Sequence, residues 1–300
     1  MKLVDSHESA AIFAFTHLLA MRAYAKINLG LLILDKQPDG YHNIETVFHR
    51  INMFDEIEFK PSSAINVISS DPDAPSGEEN ICYKAARRMQ EHLNVGKGVE
   101  ISIRKKIPVG AGLGGGSSDA AVVLQELPKF WERRVDDSTL RKIALKLGSD
   151  VPYFLGTGSS LAKGRGEVLE YFKLVIPFTI LLCTPKIHVS TAWAYQNVRP
   201  SKGSRPIDLK GVLLEGLKKP LHLVNGLRND FEPVVFREYP EIMRVKEAMM
   251  RGGAEFALMS GSGSSVFGFF SQRKFAGEVS SYLRSRDHHT FLTDPNFAPS

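Results

Sequence analysis

Cysteine is scarce in this chain, two in 300 residues. That scarcity excludes a disulfide framework and leaves no thiolate spacing for a zinc site. Cys82 and Cys183 lie among apolar neighbours and read as reduced, buried thiols of a cytoplasmic protein. Long apolar runs are also missing. The stretch at residues 10–21 is interrupted by His17 and is too short to span a bilayer. Asp5 and Glu8 stand where a secretory leader would carry positive charge, so residues 1–20 read as an N-terminal extension outside the fold. No basic run interleaved with aromatics marks a nucleic-acid surface, and Arg104-Lys105-Lys106 is too short to make one. What remains is an ordinary globular composition, 43% hydrophobic and 24% charged, with a net charge of +5 that suits a phosphorylated small molecule. The length accommodates one large domain or two of normal size.

Glycine is the residue that is concentrated. Residues 108–121 read PVGAGLGGGSSDAA, five glycines and two serines directly ahead of an apolar helical run. A flexible linker would be polar and lie between domains, whereas this segment sits between a strand-like run and a helix. Glycine lets a ligand approach the backbone with no Cβ in the way. A helix that begins where such a loop ends presents unpaired N–H groups and its positive dipole end to an anion. The segment therefore reads as a phosphate cradle that closes at Ser117-Ser118-Asp119. It is not a Walker A loop, which needs a Lys-Ser/Thr pair after its last glycine. The dinucleotide-fold glycine spacing and the protein-kinase signatures are missing too.

Around the loop, strands and helices mix without regular βα alternation, which argues α+β. Residues 22–34, 55–60 and 99–105 alternate polar and apolar as strands, and residues 178–183 read as a buried strand. Asn80 caps a helix over residues 81–93. Leu140, Ile143, Ala144 and Leu147 mark a second helix, stopped by Gly148, and Pro128 is expected to end the helix that follows the glycine loop. Ile242, Val245 and Met249 mark another helix, and strands at 256–259 and 266–270 flank the small-residue loop Ser260–Ser265. A boundary near residue 175 divides the chain into residues 21–175 and 176–300.

The string P-x-x-x-G-L-G-x-x-S-S, here Pro108-Val109-Gly110-Ala111-Gly112-Leu113-Gly114-Gly115-Gly116-Ser117-Ser118, resembles the phosphate loop of the GHMP kinases, small-molecule kinases that use ATP. Two further strings carry the same resemblance. Ala25-Lys26-Ile27-Asn28-Leu29-Gly30-Leu31 is similar to an opening motif of one branch of that family, and Gly148-Ser149-Asp150-Val151-Pro152 resembles its G-x-D-V-P motif. On residues alone, Lys26 is a solvated strand lysine and Asp150 a helix cap as readily as a base. Strand periodicity does place Lys26 and Asn28 on one face, where both can reach one ligand.

The resemblance implies a two-domain α+β fold with the active site in the cleft between the domains. Asp150 would be the catalytic base and Lys26 its charge-balancing partner. The glycine loop, with Asn80 and Lys105, would bind ATP; as a helix cap and a surface charge these two also have plain structural readings. Mg²⁺ would be bound mainly through ATP, with Ser117 or Ser118 as a possible contact. The segment Gly40-Tyr41-His42, followed by Phe48, resembles the part that holds the substrate's cytidine diphosphate group, and Thr191 and Tyr195 fall in a second such segment, with Asn28 beside them. Phe48 fits core packing equally. The implied reaction moves the γ-phosphate of ATP to a small alcohol of the non-mevalonate isoprenoid route, with no nucleic acid or membrane partner; a monomer or a homodimer satisfies it. Two rivals stand beside it. One is a family member acting on homoserine, mevalonate or a sugar, against which the cytidine-type segment counts. The other is an inactive nucleotide-binding regulator, against which Lys26 and Asp150 count.

Overall fold

The protein is described from a computed structural model, which covers residues 20–199 and 207–299. The extension at residues 1–20 lies, but for its last residue, outside the described residues.

Two sheets organise the chain. The first contains β1 (Met21–Lys36), β2 (His42–Ser62), β3 (Ile65–Ser69), β4 (Gly98–Arg104), β5 (Ser159–Lys163) and β6 (Val168–Phe172). β2 is its backbone: β1 pairs along one edge, while β5 pairs at Thr46–Phe48 and β4 at Glu56–Ser62 along the other. The second sheet is antiparallel, β7 (Thr179–Thr184), β8 (Phe256–Met259), β9 (Val266–Phe270) and β10 (His289–Thr293), in the order β10-β7-β9-β8.

Helices α1 (Ile81–Leu93), α2 (Gly115–Phe130), α3 (Asp137–Leu147) and α4 (Val151–Leu155) pack on one face of the first sheet. Helices α5 (Thr191–Asn197), α8 (Glu232–Glu238), α9 (Pro240–Arg251) and α10 (Arg273–Arg284) pack on the second. Between the sheets runs a shared apolar layer, in which Ala25, Ile27 and Leu29 meet Phe256, Phe267 and Phe269, with α6 (Leu209–Gly216) and α7 (Leu221–Gly226) at its rim.

β1 is therefore covered on both faces, and its alternation sorts the side chains. Odd positions Ala25, Ile27 and Leu29 enter the shared layer, while even positions Lys26 and Asn28 face the other way. The register with β2 shifts between Asn28 and Leu31, at Gly30 with φ +85°. The bulge reverses the parity, so that Leu32 joins the shared layer and Leu31 and Ile33 pack against the helices of the second sheet.

Two expectations are corrected. Helix α2 starts at Gly115, so Ser117 and Ser118 belong to its first turn. It also runs through Pro128 to Phe130: the proline gives up the bond an N–H would make to the Leu124 carbonyl, and burial of Leu127 and Pro128 holds the last turn in place. The capped helix at 81–93 appears as expected, with Asn80 Oδ1 accepting from the Cys82 N–H at 2.8 Å. Among the described residues no helix is long and apolar enough to cross a membrane. Both cysteines are buried and unbridged.

Candidate active site

Two cavities meet at the glycine loop. The larger, about 670 Å³, lies between the two halves of the chain and is lined by Lys26, Asn28, Tyr41, His42, Phe48, Asp150, Thr191 and Tyr195, among others. The smaller, about 350 Å³, is lined by Asn80, Lys105 and the loop from Pro108 to Ser117. Gly112 and Gly114 line both, so the loop backbone is the wall between them. Ser117 faces the smaller cavity, whereas Ser118 is buried within α2 and does not line it.

At that wall the Lys26 ammonium is held from three sides. It donates to Asn28 Oδ1 at 2.6 Å and to the Gly112 carbonyl at 3.2 Å, and lies 3.4 Å from Asp150 Oδ2. The Phe48 ring sits 5.1 Å from it, a cation–π contact. Lys26 is only 4% exposed, which removes the solvated-lysine reading; a buried ammonium needs partners of this kind. Asn28 is fixed in turn, its amide donating to Thr46 Oγ1 at 2.9 Å while Thr46 donates to the Gly30 carbonyl. Asp150 stands at the N-cap position of α4 but makes no side-chain cap bond, and Pro152 opens the helix behind it. The capping reading of Asp150 does not hold. Its carboxylate, 31% exposed, is open to the larger cavity.

The loop itself is built for an anion. Gly114 occupies the N-cap position of α2 and supplies no side-chain cap, so the N–H groups of the first turn stay available to a ligand. Gly112 has φ +78°, and a Cβ there would run into the Ser260 carbonyl oxygen. The Ser260–Ser265 loop joins β8 to β9 and also closes on the phosphate loop. Ser260 Oγ donates to the Gly112 carbonyl at 3.0 Å, and the Ser265 N–H donates to the Ala111 carbonyl at 3.3 Å. It is thus both the hairpin and a wall of the site. This cradle fits a triphosphate. Among the described residues no group of three or more His, Cys, Asp or Glu could hold a metal ion. Ser117 is the loop hydroxyl on the wall of the smaller cavity.

One wall of the larger cavity is aromatic. His42 stacks on Tyr195 with ring centroids 5.4 Å apart, and Tyr195 meets Phe231 edge-on. Burial, with Asp150 nearby, pushes the Tyr195 hydroxyl up to about 12, and burial lowers the His42 pKa, so both rings are neutral near pH 7. Thr191, the first residue of α5, hydrogen-bonds Ser262 at 2.9 Å and ties α5 to the hairpin loop. Phe48 is 1% exposed and packs on Tyr153, as core packing expects, and it also lines the larger cavity.

Among the cavity residues that escaped the sequence reading are two cations, Lys36 and Arg165. The Arg165 guanidinium lies 3.9 Å from the centroid of the exposed Tyr41 ring and pairs with Asp39. The glycines on either side of Arg165 were the available signal. Lys105, whose plain reading was a surface charge, is instead buried between Asp55 and Asp119. Burial pushes the Asp119 carboxyl up to about 7 against the pull of Lys105.

Known proteins resemble this chain over most of its length. The family profile described as GHMP kinases N terminal domain matches residues 80–158, and that described as GHMP kinases C terminal matches residues 213–288. A 4-diphosphocytidyl-2-C-methyl-D-erythritol kinase of Chlorobium limicola is 43% identical over 286 residues, covering 93% of this chain and 98% of the relative. A crystal structure of 4-(cytidine 5'-diphospho)-2C-methyl-D-erythritol kinase superposes with TM-score 0.77 at 34% identity, covering 92% of this chain and 98% of that one. The homoserine kinase of Cytophaga hutchinsonii, at TM-score 0.67 and 19% identity over 93% of this chain and 97% of that one, shares the fold alone. The chain belongs to the GHMP kinases and, within them, to the family of 4-diphosphocytidyl-2-C-methyl-D-erythritol kinases.

Proposed function

We propose that this small-molecule kinase transfers the γ-phosphate of ATP to the 2-hydroxyl of 4-diphosphocytidyl-2-C-methyl-D-erythritol, in the cytoplasm, as a step of the non-mevalonate route to isoprenoid precursors. The observation that carries this reading is the meeting of the two cavities at Gly112 and Gly114, with Lys26 and Asp150 at the junction. One cavity has the backbone and helix end that suit a triphosphate. The other has the aromatic and neutral hydrogen-bonding groups that suit a pyrimidine.

The residues divide the work accordingly. Pro108 to Ser117 and the N-terminus of α2 cradle the phosphates, and Asn80 and Lys105 border the rest of the nucleotide. Mg²⁺ bound with the triphosphate, with Ser117 the loop hydroxyl on that cavity's wall, would supply charge neutralisation. Asp150 accepts the proton of the attacking hydroxyl as its oxygen bonds to the γ-phosphorus and ADP leaves. Lys26 stabilises charge on the transferring group, and Asn28 holds Lys26 in place. Phosphoryl transfer asks mainly for positioning and charge compensation, which is what this junction offers. Tyr41, His42, Phe48, Thr191 and Tyr195 hold the cytidine end. The same reading divides the chain into a nucleotide-binding half, residues 21–175, and a second half, residues 176–300, that supplies α5 and the hairpin loop.

The test is ADP release by the purified protein with ATP, Mg²⁺ and a panel of alcohols. The cytidyl alcohol is expected to exceed homoserine, mevalonate and simple sugars in kcat/KM by at least about 10²-fold, because a polar base pocket left unfilled is costly. Preferred phosphorylation of homoserine or mevalonate would leave a kinase but remove this substrate.

A further inference from the structure

We propose that Asp55, Lys105 and Asp119 form a buried clamp that fixes both ends of the phosphate loop, so that Asp55 is a positioning residue for ATP although it lines neither cavity. The proposal rests on the reading of the glycine loop as the ATP site and adds to it a cause for the loop's shape.

Asp55 is a fully buried carboxylate in the middle of β2. Its Oδ1 accepts the backbone N–H groups of Lys106 at 2.5 Å and Ile107 at 2.9 Å, the two residues that lead into Pro108. Its Oδ2 accepts from the Lys105 ammonium at 2.5 Å. The same ammonium donates to Asp119 Oδ2 at 2.8 Å, and Asp119 lies just beyond the other end of the loop, in α2. One strand residue thus governs both the entry of the glycine loop and, through Lys105, its exit.

Stability alone does not account for the cluster. Two carboxylates and one ammonium, each 6% exposed or less, are removed from water. Buried ion pairs of this kind are often no better than packed apolar groups. The cluster even leaves Asp119 Oδ1 without a hydrogen-bond partner. What charged, directional bonds supply beyond apolar packing is a defined geometry. The glycine loop needs such a constraint, since glycines are free to adopt many backbone conformations and an anion cradle works only if its N–H groups already converge. The alternative is that Lys105, which borders the smaller cavity, acts on the nucleotide by itself.

The test is a double-mutant cycle on the full chain, with ATP binding measured by calorimetry without the alcohol, alongside melting temperature and the KM for each substrate. Asp55→Asn and Lys105→Met are each expected to weaken ATP binding by about tenfold or more, the value of a lost charged hydrogen bond. The double variant should be no weaker than the worse single one, because both break the same clamp. The KM for the alcohol should stay within about threefold. Losses that multiply in the double variant would overturn the proposal and assign Lys105 a separate contact. A lower melting temperature with unchanged ATP affinity would overturn it in favour of a purely structural cluster. Should Asp55→Asn fail to fold, Asp119 carries the test. Asp119→Asn keeps an acceptor for Lys105 and should hold ATP affinity within about threefold, whereas Asp119→Leu should lose about tenfold. Equal affinities in those two variants would overturn the clamp. If the unmutated protein itself fails to bind ATP, the nucleotide reading falls and takes the clamp with it.

Discussion

Lys26 Nζ stands 3.4 Å from Asp150 Oδ2, joining a strand residue that is 4% exposed to a carboxylate that opens on the larger cavity. The pair sits where the glycine loop divides the two cavities, and the alternation of β1 presents Lys26 there while Ala25 and Ile27 fill the core. Asp150→Asn preserves the shape but removes the proton acceptor. Turnover is expected to fall by about 10² or more, with ATP affinity little changed. Near-normal kcat in that variant would remove the base assignment.

Gly112→Ala tests the contact between the two loops. The added methyl meets the Ser260 carbonyl oxygen at a backbone φ of +78° that alanine adopts poorly. The two loops must part, and the KM for ATP is expected to rise by about tenfold or more while the protein still folds cooperatively. A calorimetric ATP affinity equal to that of the parent chain would show that the loop contact is incidental to the nucleotide.

Tyr41 separates recognition from stability, because its ring is 56% exposed. Tyr41→Ala should raise the KM for the cytidyl alcohol by roughly tenfold, the scale of one lost base-stacking contact, with kcat and melting temperature nearly constant. Phe48 would not give so clean a result. It is buried, and truncating a buried Phe costs about 3–5 kcal/mol of stability. An unchanged KM for Tyr41→Ala would place the base elsewhere.

His49 predicts a pH dependence of folding. Burial lowers its pKa from 6.5 to about 4, and its ring bonds Ser159 at 2.7 Å. The unfolded chain therefore binds this proton more readily, and the stability present above pH 6.5 is lost as pH falls toward 4, about 3 kcal/mol in all. Denaturant unfolding at pH 6.5 and 4.5 should show His49→Gln losing about 2 kcal/mol less than the parent between those values. Equal losses would mean that other groups carry the acid sensitivity.

Much of this was legible in the sequence because local rules coincide with the site. Glycines at Gly112 and Gly114 mark the loop, Asn80 marks a helix start, and the spacing of Lys26 and Asn28 marks one strand face. Tertiary structure supplied the rest. β2 runs unbroken from His42 to Ser62, although only residues 55–60 alternate clearly, because β1, β5 and β4 pair along its edges and both faces are buried nearby, Phe48 under the helices and Val47 and Ile51 in the layer between the sheets. The burial of Lys105 depends on Asp55, distant in sequence and invisible to any local pattern. Pro128 reads as a helix end, yet packing in the last turn of α2 holds the helix past it.

The most direct test of the central claim is phosphorus NMR of the product formed from ATP and 4-diphosphocytidyl-2-C-methyl-D-erythritol. The 2-carbon bears a methyl group and no hydrogen, so a phosphate on its oxygen has no three-bond coupling to a proton. The account predicts one ADP released per alcohol consumed and a new phosphomonoester resonance that stays a singlet without proton decoupling. A new resonance split by carbon-bound protons, or ADP release with no new phosphomonoester, would contradict it.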